Sequence, residues 1–530
     1  MSEKTTIGKQ SGFTRIVRSS LLADRAPITA DILSWNYEGG GTTEDPYVAE
    51  WITDDPGNPL LWKSWYKWFV ALTVAQTTLC VSFCSSAYSG GIEGIKKDLS
   101  TSHEVATVGL SLFVLGFGLG PLIWAPLSEM YGRRVIFFIT FGALTCFNAG
   151  TAGAQNIQTV IVLRFLGGTF GASPFTNAGG VISDIFNATE RGLAMSIFAA
   201  APFMGPVIGP LVGGFLGETE GWRWIQGVMT IFSGVVWIFA SITVPETYAP
   251  VLLRRRAAEL SRLTGKVYLS KLEAENKPVA LTEALYTNLS RPWILLFQEP
   301  IVLLLSFYMA IIYGTLYMLF GAYPIVYQQY RGWSAGVAGL PFIGVAIGML
   351  ASVAYSIWVE NPRYLRVIRE NDGNAPPEAR LPPSLLGAVA LPIGLFWFAW
   401  TNSPSLPWPA SVAAGAPFGF AMVLVFLSVM NYLVDSYTIY AASVLAANSV
   451  FRAIFGAVFP LFTRQMYDGL GIHWASTIPA FLALICLPFP FLFYRFGEGI
   501  RSKCKYSAIA AAAAASLQKG SSRPETLQSA

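Results

Sequence analysis

Arg164 stands inside an otherwise apolar run, residues 157–181, long enough to be a membrane-spanning helix. A charge at bilayer depth costs at least ~2.5 kcal/mol on insertion scales, so such a residue faces a cavity or a partner inside a bundle. Its guanidinium is a fixed positive charge able to lower the pKa of a nearby acid or attract an anion. It could equally serve structure alone, bonded to backbone carbonyls. A second charged group lies in the tight turn Ala125-Pro126-Leu127-Ser128-Glu129-Met130-Tyr131-Gly132-Arg133-Arg134. Glu129 ends one helix and Arg133 and Arg134 begin the next, with Gly132 supplying permissive backbone between them. These charges can form an ion-pair latch that holds one helix arrangement and releases in another, or the arginines are plain anchors. Further on, Gly205, Gly209 and Gly213 recur every four residues and share one helix face, which lets a neighbouring helix come close. Pro206 and Pro210 each remove an internal hydrogen bond and favour a kink.

The elements carrying these residues must lie in a membrane. The chain has 530 residues, 53% hydrophobic and only 12% charged, about half the charge fraction of soluble domains. Apolar runs of about 20 residues recur, each able to cross ~30 Å of hydrocarbon as a helix. Spans are expected near 68–90, 106–127, 135–155, 158–181, 192–216 and 223–244, then near 299–324, 335–358, 384–402, 409–431, 437–462 and 475–496. This is an all-α membrane protein of twelve helices in two pseudo-symmetric groups of six. The divisions are an N-terminal segment 1–66, a first bundle 67–244, a connector 245–295, a second bundle 296–497 and a tail 498–530.

The N-terminal segment, the even-numbered loops and the tail hold 28 of the 35 Lys and Arg residues, against five in the opposite loops. Lys and Arg concentrate in cytoplasmic loops, so both termini and the connector are expected in the cytoplasm. On that side the triplets Asn187-Ala-Thr189 and Asn288-Leu-Ser290 would stay unglycosylated. The basic stretch Arg254-Arg255-Arg256 opens a partly amphipathic helix that either lies against anionic headgroups or is a solvated linker. Residues 1–58 are polar, so no cleaved signal is expected. Five cysteines and two histidines show no metal-ligand spacing and no disulfide framework. No Walker-type glycine loop appears, which speaks against direct ATP drive. Neither cofactor nor metal is expected, no nucleic acid is implied as a partner, and the chain is not read as an enzyme.

The turn at residues 125–134 resembles the loop signature of the major facilitator superfamily, with Ala125, Glu129 and Met130 departing from it. Its Pro-Leu-Ser-Glu-x-Tyr-Gly-Arg-Arg form is similar to that of the fungal twelve-span drug:proton antiporters. Arg164-Phe-Leu-Gly-Gly-Thr-Phe-Gly-Ala-Ser resembles the second signature, whose arginine is implicated in proton coupling. Asp184 matches the acid beside the loop latch, though it also reads as a helix-end charge. Gly205-Pro206-Val-Ile-Gly209-Pro210-Leu-Val-Gly213-Gly214 resembles the antiporter signature of drug:proton exchangers. Gly221-Trp-Arg-Trp, Pro245-Glu-Thr and Asn448-Ser-Val-Phe-Arg452 extend the likeness, which covers roughly 50–500. Glu360-Asn-Pro-Arg363 faintly echoes the first-half latch.

The resemblance implies a monomeric plasma-membrane transporter that exports drugs, toxins or secondary metabolites by alternating access, exchanging them for protons among membrane lipid. Arg164 and Asp184 would couple protons, and Glu129, Arg133 and Arg134 would form the latch. In such a fold the first, fourth, seventh and tenth spans line a cavity, offering Gln76, Asn177, Tyr308, Tyr313, Tyr317, Phe320, Phe420 and Asn431; Asn448 and Arg452 join them from the eleventh. An aromatic, sparsely charged chamber suits bulky planar compounds, and the lack of a midplane acid in the first half argues against polyamines. The alternative is uptake or facilitated exchange of a nutrient, polyamine or organic acid.

Overall fold

The computed structural model describes residues 28–275, 281–371 and 375–512. The first 27 residues, the alanine run from 513 onward and the side chains of Thr189 and Asn288 lie outside that description. Among the described residues, ten helical runs are long and apolar enough to cross a membrane. One of them, Thr438–Arg501, holds two crossings, because Gly471 adopts φ +72° and reverses the chain. The fourth crossing is divided at Ala172 into Ile157–Gly171 and Ser173–Ile185, each too short to be counted alone. Twelve crossings result.

In chain order the first three are Ser64–Ser86, His103–Tyr131 and Arg133–Ala152. After the divided fourth, the fifth is Ala188–Phe198 continued by Ala200–Thr219, and the sixth is Trp222–Thr243. The second half runs through Pro300–Tyr323, Phe342–Tyr355, Pro382–Thr401 and Gly415–Ser436. The reversed helix Ala441–Cys486, with Pro488–Arg501, supplies the last two. Side-chain caps set several starts: Ser102 Oγ accepts from Val105 N at 3.2 Å, and Asn156 Oδ1 from Thr159 N at 2.8 Å. Each satisfies an amide the helix leaves unpaired.

Packing repeats with a shift of six. The first crossing lies on the fifth, the second on the fourth and the third on the sixth; the seventh lies on the eleventh, the eighth on the tenth and the ninth on the twelfth. Between halves, the second meets the eleventh and the fifth meets the eighth, two contacts that exchange under the same shift. A pseudo-twofold relation therefore governs both the bundles and the seam between them.

The connector lies on one face of the bundle. Its helix Ala249–Thr264 packs against the N-terminal segment, where strand β1 (Tyr47–Ala49) pairs in parallel with strand β2 (Tyr268–Ser270). Ile32, Tyr37, Ala49, Ile52, Ala257, Leu260 and Tyr268 make a small separate core. Arg256 grips the fully buried Asp55 with both terminal nitrogens and lies over the Trp51 ring. Arg254 donates to the Met130 carbonyl at 2.8 Å. Two of the basic helix's arginines, Arg254 and Arg256, are thus bonded within the protein. Residues 32–55 and 249–270 pack together as one small unit.

Candidate functional site

Arg164 is 1% exposed and lies between the first, second and fourth crossings. The second and fourth touch without intervening side chains, Gly168 lying on the Phe113 backbone and Gly116 on Gly168 and Thr169. One turn before Gly168, the guanidinium reaches three carbonyls: Nε to Gly109 at 3.3 Å, Nη1 to Cys84 at 2.8 Å and Nη2 to Ser85 at 3.1 Å. The Phe113 and Tyr88 rings flank it at 4.0 and 4.6 Å. Its fork is satisfied by backbone, and no carboxylate is among its described partners. The arrangement fixes the end of the first crossing to the second and fourth.

From that point a hydrogen-bonded chain crosses to the other half. Ser85 Oγ lies 2.9 Å from the Tyr317 hydroxyl, which receives the Tyr313 hydroxyl at 3.4 Å. Tyr313, Tyr317 and Phe320 share one face of the seventh crossing by their i, i+4, i+7 spacing, and their rings pack in sequence, the first pair tilted and the second edge-on. Tyr308 is rotated about 140° from Tyr313 and is buried beside Cys486 of the twelfth crossing, outside the expected chamber.

Arg452 lies over the rings of Tyr313 and Phe426, at 4.8 and 4.9 Å. With Met309, Ile312, Tyr313, Met422 and Phe426 it lines a small, narrow pocket. Phe426 reaches Phe203 of the fifth crossing with ring centroids 4.8 Å apart, placing the pocket at the seam. Phe420 faces away from it and meets Tyr355 of the eighth crossing, so Met422 and Phe426 take the place expected for Phe420. Asn448, one turn before Arg452, donates to Ser306 Oγ at 3.1 Å and to Met309 Sδ, and its Oδ1 is buried without a partner. Asn177 is buried on Ser173 Oγ at 2.9 Å with its own Oδ1 unpartnered. Gln76 and Asn431 are exposed and join none of these groups. Another small cleft lies inside the first half among Thr77, Arg134, Phe141 and Trp237, away from the seam.

On the connector face, Arg133 pairs with Asp184, the acid the family likeness set beside the latch, and not with Glu129. Glu129, at the end of the second crossing, is exposed and makes no hydrogen bond or ion pair among the described residues. Arg133 instead meets Asp184 at 3.7 Å, donates to Ser128 Oγ at 2.6 Å and lies over the Tyr248 ring at 4.7 Å. Glu246 accepts the backbone amides of Arg133 and Arg134 at 3.0 and 3.2 Å, an anion at the positive end of the third crossing. Thr247 Oγ1 donates to Asp184 at 3.1 Å. Asp184 lies in the last turn of the fourth crossing, half-buried opposite Arg133. Glu246 carries no spacing signal; only the likeness of the Pro245-Glu-Thr stretch pointed near it.

The second half holds an ion pair in the equivalent place. Arg380, just before the ninth crossing, meets Asp435 at the end of the tenth at 2.9 Å and lies over the Tyr364 ring. Glu360 and Arg363 do pair, but three residues apart within one helical segment, with no second crossing involved.

The fifth crossing has two working faces. Added methyls at Gly205, Gly209 and Gly213 would collide with Ser82, Ser86 and Ala87 of the first crossing and its extension. Pro210 and Gly214, on another face, touch Ala335–Gly339 at the start of the eighth crossing. The break in this crossing falls at Ala199; Pro206 and Pro210 stand within the continuous helix that follows. On the face opposite the connector the halves are joined further: Glu218 accepts from Gly336 N at 2.8 Å, Gln465 donates to Glu104 at 3.4 Å, and Arg464 approaches Glu93 at 4.0 Å. That face is closed.

The Major Facilitator Superfamily profile matches residues 74–460. The chain is 62% identical over 488 residues to the major facilitator superfamily multidrug transporter mdrA of Aspergillus fumigatus, spanning 92% of this chain and 80% of that one. It is 58% identical over 515 residues to the MFS-type efflux pump MFS2 of Trichophyton rubrum, spanning 97% and 86%. In fold it is similar to the xylose transporter XylE from E. coli in a partially occluded inward-open conformation, with TM-score 0.56, 17% identity and 81% and 99% of the two chains covered.

Proposed function

The chain belongs to the major facilitator superfamily, and we propose that it exports small organic molecules across the plasma membrane, exchanging them for protons as its halves rock about their seam. The relatives named as multidrug transporter and efflux pump, at 62% and 58% identity over nearly the whole chain, support export. It acts as a transporter rather than an enzyme, as a monomer, and the connector face is cytoplasmic because the even-numbered loops, which the sequence shows to be rich in Lys and Arg, open on that face.

The observation that carries the mechanism is the character of the seam. The far face is closed by side-chain and glycine contacts that can part without breaking either bundle: Ser85 on Tyr317, Glu104 on Gln465, and Gly214 against Ala335 and Gly336. Behind them lies the Arg452 pocket. Substrate entering from the connector face would occupy that pocket, and parting of the far-face contacts would release it outward. Asp184 is the proton acceptor: protonation discharges its pairing with Arg133 and frees the connector-face latch. Arg164 transmits the change, since the first crossing cannot shift at Cys84 and Ser85 without disturbing charge-assisted bonds, each worth roughly 1.5–3 kcal/mol.

The test is transport by the full-length protein in proteoliposomes, with the far-face compartment acidic and a planar dye as cargo. Dye should move toward the acidic compartment, a protonophore should abolish the movement, and Arg164→Ala should give a folded protein that does not transport. Dye flux indifferent to the protonophore would contradict proton exchange, and wild-type flux from Arg164→Ala would remove that residue from the mechanism.

A further inference from the structure

The membrane core holds two arginines, one in each half, and their surroundings differ. Arg164 is fully buried and satisfied by three carbonyls. Arg452 is half-buried and makes ring contacts only: it has no hydrogen bond or ion pair among the described residues. A guanidinium cannot shed its charge by deprotonating, so Arg452 presents a positive charge with its whole fork free to the pocket. Its fork matches a carboxylate bidentately. The pocket around it is otherwise apolar and flat-sided: Met309, Ile312 and Met422 beside the rings of Tyr313 and Phe426. Asn448, one turn away, is held by Ser306 and Met309 with a buried acceptor still unpaired.

From this we infer that the cargo is an organic anion, a carboxylate carried on a planar apolar body, with Arg452 as its counter-charge. The carboxylate sits on the guanidinium fork, the body lies against Tyr313 and Phe426, and the thioethers of Met309 and Met422 adapt to its outline. A hydroxyl or N–H on the body would satisfy Asn448 Oδ1. Occupancy also reaches the far-face closure, because Tyr313 touches both Arg452 and the Tyr317 hydroxyl that bonds Ser85. The inference rests on the export reading for its direction, but the binding chemistry stands apart from it.

The experiment measures binding to the full-length protein in lipid nanodiscs. The probes are 2-naphthoate and pyrene-1-carboxylate, each against its primary amide, followed by their own fluorescence. The wild type should bind each acid at least ~10-fold more tightly than its amide, as expected for a charge-assisted bidentate pair. Arg452→Gln should bring the acids down to the affinity of the amides while leaving amide affinity in place. Arg452→Lys, which keeps the charge and loses the fork, should retain part of the preference and covers the case in which the glutamine variant misfolds. A wild type indifferent to acid and amide, or an Arg452→Gln protein that keeps the preference, overturns the inference. Acid preference without transport of any probe would contradict export alone; equal transport of acids and amides would contradict the anion site alone.

Discussion

Asp184 and Arg133 are the residue pair on which a proton can act most directly. The groups facing Asp184 are Arg133, Thr247, Glu246 and Tyr248. Protonation of Asp184 removes the charge that pairs with Arg133. In vesicles with the connector face outward, transport should therefore depend on external pH through this carboxyl. Asp184→Asn should flatten the pH profile; an unchanged profile would move the proton site elsewhere. Which residues carry charge into the membrane was legible from the sequence, because a lone Arg in an apolar run is conspicuous. Their partners were legible only in part. Arg164 meets carbonyls, which every residue has; the family likeness placed Asp184 beside Arg133, but not Glu246 on the backbone amides of Arg133 and Arg134.

Among the elements, the fifth crossing joins the moving parts. Its four-residue glycine spacing announced close approach to a neighbour, and the first crossing fills that place. The second face, Pro210 and Gly214 against Ala335–Gly339, has no periodic signal because its partner lies in the other half, more than a hundred residues away in sequence. A Cβ on Gly214 would meet the Ala335 carbonyl at 2.7 Å. Gly214→Leu should therefore overpack the closed far face by about 1–3 kcal/mol and spare the state in which that face is parted. Transport should fall about 10-fold or more while the melting temperature stays near that of wild type. Gly234→Ala, where a methyl meets only Thr145 Cγ2 at 3.4 Å, serves as the control and should transport normally. Equal rates for both variants would show that far-face closure does not depend on this contact. The aromatic residues of the seventh crossing were sorted by the same geometry: helical phase puts Tyr313 and Tyr317 at the seam and turns Tyr308 toward the twelfth crossing. A phase calculation from the sequence could have separated them, whereas Met422 and Phe426 could be chosen over Phe420 only once the tenth crossing's facing was known.

At the scale of the whole molecule, two bundles related by pseudo-symmetry share a seam closed on one face, with an unpaired guanidinium inside. The bundles themselves were legible, since twelve apolar runs and a lopsided Lys and Arg distribution follow from the bilayer as solvent. The ion pair of Arg380 and Asp435 and the clip between Asp55 and Arg256 were not, because each joins residues far apart in sequence through single side chains. Alternating access requires the far-face contacts to part in every cycle. Glu104 and Gln465 are exposed, lie on opposite halves and touch at 3.4 Å, and Cys146 is the exposed cysteine among the native five. The decisive measurement is transport by Glu104→Cys/Gln465→Cys in a Cys146→Ala background, before and after joining the two thiols with a short cleavable cross-linker. Transport should stop when the link forms and return when it is cleaved. A cross-linked protein that turns over at the unlinked rate would contradict the account at its centre.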